Sequence, residues 1–557
     1  MINDSSEPRN STFTWYLFPA EGLAILTVIP SCLSFLALWL LSPHGEVSTG
    51  ELATGSVLGR TLMLAVVPAF LATATAYFLS YYAVFRLPRF RWFLLLPLAT
   101  IFIVSHYIFL RGINIWLAEN GIVHSLIQLR AGQDSPWFSN VGPDLCFFWL
   151  TAFWRYVPIS VLFFCFTFFA LGDSFATVAD GLQVSWLRRH ILLLRTVART
   201  PAILSVLLVI LLLSLDTVSP SVLLEGRWET AGTLLLDTAG TLETRHHAAI
   251  IGLVVMLLSA GIVYLTVRVL ARTEGAVRLP DLGILNFRRV WSPGCILVCG
   301  MTFVILIVVA SGLVAQSLDM RPRDGGMFAR KPLLASTSID GFAKLRDDIT
   351  LKAAAGRTVI VALGSALIAA LAGSVSAFRD YSNARVMSRN LGAWCTAILL
   401  LPLLLPQAVM GHSVAFWVQK GAVPDSASLR IVALVLGHAG LFVAIPFFAV
   451  TAALHRLGPD LISVARNLEV GTVRALAACW RAWLPAVCAG ALGVICLSAN
   501  EVVISQHLLD RIDTVAVVIE GRRYAGLQAQ DYAAAVILLT TTILLLTSAR
   551  WLYPKSG

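Results

Sequence analysis

A chain of 557 residues that is 58% hydrophobic and 13% charged carries about half the usual globular share of charge. No water-soluble core encloses that much apolar surface, so a polytopic membrane protein is expected and a soluble globular enzyme is excluded. The formal charge of +10 does not mark a nucleic-acid binder: there is no basic tail with interleaved aromatics, and in membrane proteins Lys and Arg gather on cytoplasmic loops facing anionic lipid.

The N-terminal MINDSSEPRN is polar and not distinctly basic. The apolar run after it, Trp15 to Leu41, is too long for a signal-peptide core and reads as a retained first span. With about 20 apolar residues needed per crossing, twelve spans are expected, centred near residues 28, 72, 103, 159, 208, 258, 304, 366, 404, 442, 492 and 542. Arg111 and Asn114 interrupt the end of the third, and Asn500 and Glu501 close the eleventh. The basic loops RLPRFR (86–91) and RRHILLLR (188–195) fall on one side if both termini are cytoplasmic. Arg268, Arg272, Arg288 and Arg289, then Arg379, Arg385 and Arg389, then Arg456, Arg466, Arg474 and Arg481 fall on that same side. The long stretch 318–357 places several cations on the far side, where long loops weigh less.

The sequence repeats itself. GRTLMLAVVPAFLATA (59–74) recurs as GRTVIVALGSALIAAL (356–371), and LLLPL occurs at 94–98 and 399–403. PAILSVLLVILLLSLDTVSPS (201–221) is answered by PAVCAGALGVICLSANEVVIS (485–505). Two transmembrane halves follow, 1–290 with a repeat core of about 55–270 and 291–557 with a core of about 350–553. Six spans in each return the chain to the same side, so the halves lie parallel about an axis along the membrane normal, with a pore or cleft between them.

Chemistry is scarce. No GxxxxGK[ST], HExxH, GxSxG or CxxC occurs, so no nucleotide site, catalytic centre or metal site is expected on this chain, and it is not expected to be an enzyme. Most of the nine cysteines lie in apolar runs and read as small hydrophobes; Cys295 and Cys299 have no second Cys/His pair to complete a metal site. Polar residues within spans are costly and mark function. Asp216 and Asn500 take corresponding places near the outer ends of their spans, Glu501 follows directly, and His106 and His412 correspond in spans three and nine. These five are the candidate lining of a translocation path, and carboxylates at its outer mouth favour a cationic solute. The bland alternative is that they cap helix ends or meet interfacial water. Arg155 and Arg111 read as interfacial anchors.

The segment SVARNLEVGTVRALAACWRAWLP (463–485) resembles the cytoplasmic EAA-type loop of ABC importer permeases, which forms a short helix that docks on the ATPase. ATVADGLQVSWLRRHILLLRTVARTPAIL (176–204) is its counterpart in the first half. RGINIWLAENGIVHSLI (111–127) and LPLLLPQAVMGHSVAFW (401–417) resemble segments of the polyamine and ferric-iron permeases, as does LGHAGLFVAIPF (436–447). The chain departs from the motif where Ser463, Val464 and Ala465 replace Glu-Ala-Ala, and where Glu469 and Gln183 stand at the motif glycine, with Gly471 two residues on.

The resemblance implies an all-α integral membrane protein with type I-like transmembrane domains, fused as two halves. Its coupling loops would hold Val178, Ala179, Asp180, Gly181, Leu182, Gln183, Ser185 and Trp186 in the first half. In the second they would hold Ser463, Val464, Ala465, Arg466, Asn467, Leu468, Glu469 and Gly471. It implies two copies of a cytoplasmic ATPase that carry the ATP, a periplasmic substrate-binding protein, and a place in the bacterial inner membrane. It also implies a solute of the polyamine, ferric-iron, thiamine or aminophosphonate class. Read without the resemblance, each loop is a short amphipathic helix that docks in a groove or lies at the lipid surface. An ion-coupled secondary transporter with two parallel halves is the alternative, and it would need ionisable groups buried deep in the bundle.

Overall fold

The computed structural model describes residues 19–41, 50–86, 91–117, 142–171, 185–214, 216, 230–232, 245–273, 293–318, 339–383, 389–405, 407–419, 426–457, 472–509, 513–522 and 528–552. Among them no strand occurs and 94% are helical, as in an all-α protein. Among the described residues seven helices are individually long and apolar enough to cross a membrane, and up to ten passages result if each of three bent helix pairs counts as one. Pro19–Ser34 and Gly252–Leu265 are shorter apolar stretches. The apolar residues run around the whole circumference of the long helices, because one side faces other helices and the other faces lipid tails.

In chain order the first half holds α1 (Pro19–Leu41), α2 (Gly50–Tyr81), α3 (Arg91–Ile103), α4 (His106–Leu117), α5 (Gly142–Leu171), α6 (Trp186–Leu193), α7 (Arg199–Ser214) and α8 (Arg245–Thr273). The second holds α9 (Pro293–Ser317), α10 (Asp340–Asp347), α11 (Ile349–Asn383), α12 (Arg389–Leu404), α13 (Gln407–Gln419), α14 (Ala427–Phe442) and α15 (Ala444–Arg456). It continues with α16 (Thr472–Ala478), α17 (Trp480–Asn500), α18 (Val503–Leu509), α19 (Val515–Gly521) and α20 (Ala529–Leu552).

Packing follows the repeat. In the first half α2 packs on α5 and α7; in the second α11 packs on α15 and α17. The threonine of each GRT does the same work. Thr61 donates to the carbonyl of Val57 at 2.7 Å and accepts the N–H of Ala231 at 3.0 Å. Thr358 donates to Ala354 at 2.8 Å and accepts the N–H of Val515 at 3.0 Å. Each hydroxyl thereby satisfies a backbone donor arriving from a distant segment, as an apolar interior requires.

The first helix of each half crosses to the other. α1 lies along α8 and then α11 to α14, while α9 lies along α20, α3 and α4. The α4–α9 crossing needs glycine, since a Cβ on Gly312 would fall inside the Gly112 backbone, and one on Gly112 would come within 2.7 Å of the Val309 carbonyl. The ends are pinned by ion pairs. Arg379 near the end of α11 pairs with Glu21 at the start of α1 and, at 2.6 Å, with Asp380. At the opposite end of α11, Arg522 after α19 joins Asp348 at 2.8 Å and Asp531 in α20 at 2.7 Å. The start of α1 therefore lies level with the end of α11, and the starts of α11 and α20 lie together at its other end.

Candidate functional site

The site is built on two broken helices. α3 and α4 meet at 110°, and α12 and α13 at 88°. The sequence explains the second break: Pro406 lies between the helices, lacks an N–H and disfavours helix in the residue before it. The first break, at Val104 and Ser105, is sustained by side chains from elsewhere. Arg155 of α5 donates its Nη1 to the carbonyls of Ile101 and of Val104, the latter at 2.7 Å. Asn500, at the end of α17, accepts the N–H of Ser105 at 3.4 Å, and its own Nδ2 donates to Cys496 at 2.8 Å and Thr542 at 3.0 Å. A guanidinium at a helix C-terminus also meets the negative end of the helix dipole. Broken backbone among apolar helices persists only where such partners take up the freed groups.

Between the two breaks lies a cavity of about 150 Å³. The first half lines it with Ser105, His106, Arg155, Tyr156 and Asp216, and the second with Pro402, Met410, Phe442, Asn500, Glu501 and Glu520. His106 Nδ1 stands 3.4 Å from an Asp216 oxygen, with both side chains buried. Glu501 is buried too, yet heavily hydrogen-bonded. It accepts the N–H of Ile504 at 2.7 Å, the N–H of Ser505 at 3.1 Å and the Ser505 hydroxyl at 2.8 Å, which caps the start of α18. His438 Nε2 lies 2.9 Å from the same carboxylate, and its Nδ1 lies 2.7 Å from the Ser498 hydroxyl. An ionised carboxylate only accepts, so Nε2 carries the hydrogen; in the neutral ring Nδ1 accepts from Ser498.

Of the five residues singled out for a translocation path, four line this one cavity: His106, Asp216, Asn500 and Glu501. The fifth, His412, stands on α13, and its side chain lies outside the described residues. The first coupling loop, Val178 to Gln183, lies outside the described residues, and so does the whole of Ser463 to Gly471. Ser185 is exposed at the start of α6, and Trp186 is its first residue. α6 is fastened to α2, with His190 Nδ1 2.9 Å from the Tyr77 hydroxyl. Arg155 differs from the expected interfacial anchor: it sits in the cavity wall, because the bend of α3 turns two carbonyls toward α5. Arg111 donates its Nε to the Tyr107 hydroxyl at 2.9 Å, one helical turn back.

Sequence reasoning passed over His438, Tyr156, Ser498, Ser505 and Glu520. His438 carried the same signal as His106, a single polar side chain within an apolar run. Glu520 did not, since it follows a short apolar segment that is no span.

The fold and the cavity define a class: an all-α, multi-pass membrane protein with an ionisable pocket among its helices. Comparison of the sequence with protein-family models found no match, and neither did comparison with curated proteins.

Proposed function

We propose that the chain is the fused permease subunit of an ATP-driven ABC importer, with both halves of the solute path on one polypeptide. In this reading twelve spans form two parallel sets of six in a bacterial inner membrane, with both termini cytoplasmic. A periplasmic binding protein delivers a small solute with a cationic centre, of the polyamine, ferric-iron, thiamine or aminophosphonate class. Two copies of a cytoplasmic ATPase close on the loops 176–190 and 463–480, and the halves rock between inward- and outward-facing states that bind the solute differently. The chain itself binds no nucleotide.

One observation carries the reading: equivalent broken helices from the two halves frame a single cavity lined by His106, Asp216, Asn500 and Glu501. Irregular backbone at that depth belongs where it lines a path, and ionisable residues there mark solute or ion routes. The test is affinity purification of the solubilised protein from its native host, followed by uptake in vesicles. A stoichiometric ATPase and ATP-dependent uptake are expected. Uptake by the purified chain alone, driven by a proton or sodium gradient, would overturn the importer reading.

That second outcome is the ion-coupled secondary transporter, and a specific observation favours it as the alternative. Two carboxylate–histidine pairs, His106–Asp216 and His438–Glu501, are buried beside the cavity, where a coupling proton would be held. Against it, Glu501 is committed to capping α18.

A further inference from the structure

We infer that the cavity receives an oxyacid anion, a carboxylate or a phosphonate group of the solute, held by Arg155, the Ser105 hydroxyl and the N-terminus of α4. The inference deepens the solute-path reading of the cavity and rests on it, and does not depend on what energises transport.

The guanidinium is the main receptor. Arg155 commits Nη1 to the carbonyls of Ile101 and Val104. Its Nε and Nη2 carry three further N–H groups, which meet no acceptor among the described residues, and the side chain lines the cavity. Asp216 attracts it through space without filling a donor. A guanidinium with a planar pair of donors left open matches a carboxylate or a phosphonate. The Nη1 anchor fixes the orientation of that fork, so it is presented to the ligand already ordered.

Ser105 is the second, independent observation. It follows directly on Val104, whose carbonyl Arg155 holds at 2.7 Å, so hydroxyl and guanidinium stand at the same helix break. Ser105 is only 6% exposed and lines the cavity. Asn500 takes its N–H, while its hydroxyl has no partner among the described residues. Ser105 also immediately precedes α4, whose first ladder bond runs from the N–H of Phe109 to the Ser105 carbonyl. The positive end of that helix dipole therefore lies at the cavity wall, where an anion is favoured.

The acidic groups of the wall do not call for a cation, because each is engaged. Glu501 accepts from Ile504, Ser505 and His438. Asp216 faces His106 at 3.4 Å, and Glu520 has a partner as well. The open positions are donors, and donors in an apolar surrounding are costly to leave unfilled. A cavity of about 150 Å³ holds a group about as large as benzene, ample for a carboxylate or phosphonate on a short chain. The solute classes named above are thereby separated: an aminophosphonate carries such a group, whereas polyamines, ferric iron and thiamine carry none.

The test is titration of the full chain, without ATP and in phosphate-free buffer, with propionate, methylphosphonate, propionamide and propylamine. Propionamide has the size and shape of propionate without its charge. At least one of the two anions is expected to bind roughly tenfold or more tighter than propionamide, with propylamine weakest. Arg155→Gln should abolish the preference for the anion. Because Arg155 also sustains the helix break, Ser105→Ala is the second variant: its hydroxyl supports no described residue, and its loss should weaken the anion several-fold. Equal affinity for propionate and propionamide, or tighter binding of propylamine than of either anion, would overturn the proposal. So would the absence of binding by every probe up to about 10 mM, an affinity too weak for a built site. The titration is run in sugar-detergent micelles and in phospholipid nanodiscs. Like affinities in both are expected of a soluble solute, and anion binding in micelles alone would show that a lipid headgroup fills the site and would overturn its role in the solute path. None of these readouts needs an ATPase, so loss of the importer reading and loss of this one are separable.

Discussion

Asn500 at the end of α17 accepts a hydrogen bond from the backbone of Ser105, 395 residues away, at the break between α3 and α4. The bond joins the two halves of the chain at the cavity wall, and the same side chain reaches Thr542 of α20 at 3.0 Å. Asn500→Ala strips the acceptor from a buried N–H and the donor from a buried hydroxyl. A loss of about 1–3 kcal/mol is expected, measured by denaturant or thermal unfolding in detergent. Thr542→Val added to Asn500→Ala should cost less than the sum of the two single changes, because both remove one shared bond.

Glu501→Gln tests whether this carboxylate is a cap and a histidine partner at once. A Gln amide nitrogen donates where a carboxylate oxygen accepted, so it cannot serve all of Ile504, Ser505 and His438. The expected loss is about 2–3 kcal/mol. A double-mutant cycle with His438→Gln should return a coupling of about 1 kcal/mol or more. Independent, additive effects would show that the two side chains are neighbours without a working bond.

The Asp348–Arg522–Asp531 cluster predicts an acid limb in stability. Burial pushes the Asp348 carboxyl up, but the hydrogen bond and charge of Arg522, with the backbone N–H of Leu351, outweigh it and hold the carboxyl below its ordinary value. For Arg522, burial acts downward, and its two carboxylate partners more than restore it, so it stays charged throughout. The unfolded chain thus binds the Asp348 proton more readily than the folded one. The stabilisation is present above about pH 4 and is lost as pH falls through the folded value. Asp348→Asn should flatten the fall in unfolding midpoint between about pH 5 and pH 3, while Arg522→Ala should lower the midpoint already at neutral pH. An unchanged acid limb in Asp348→Asn would contradict this.

Two glycines separate close approach from helix propensity. Gly312→Ala drives a methyl group into the Gly112 backbone, where neither side can yield, and should cost about 1–3 kcal/mol or more. Gly261→Ala in α8 meets nothing within 4 Å and should be neutral or stabilising by up to about 1 kcal/mol, the usual gain of Ala over Gly in a helix. Equal effects of the two substitutions on thermal midpoint would show that α4 and α9 do not pack as closely as described.

Much of the fold was legible in the chain because hydropathy is a local property. The GRT repeats predicted equivalent positions, and Thr61 and Thr358 indeed hold equivalent backbone groups. The candidate path residues were legible for the same reason: an Asp, Asn or His in an apolar run stands out against its neighbours. Arg155 was misread because its place in the sequence, near the start of an apolar run, resembles that of an anchor at the lipid surface. Nothing nearby signals that α3 breaks at Val104 and turns two carbonyls toward it. The break itself has no proline, and its cause lies in side chains from α5 and α17.

The sequence by itself determined that the chain is helical, built for a membrane and internally repeated, since those properties depend only on the order of apolar and polar residues along it. Tertiary structure alone decided which polar residues meet: His106 with Asp216, His438 with Glu501, and Arg155 with two freed carbonyls. These pairings join residues more than fifty positions apart. In an apolar bundle each buried charge or broken turn must find a partner somewhere, and only the bends and crossings of the helices settle where.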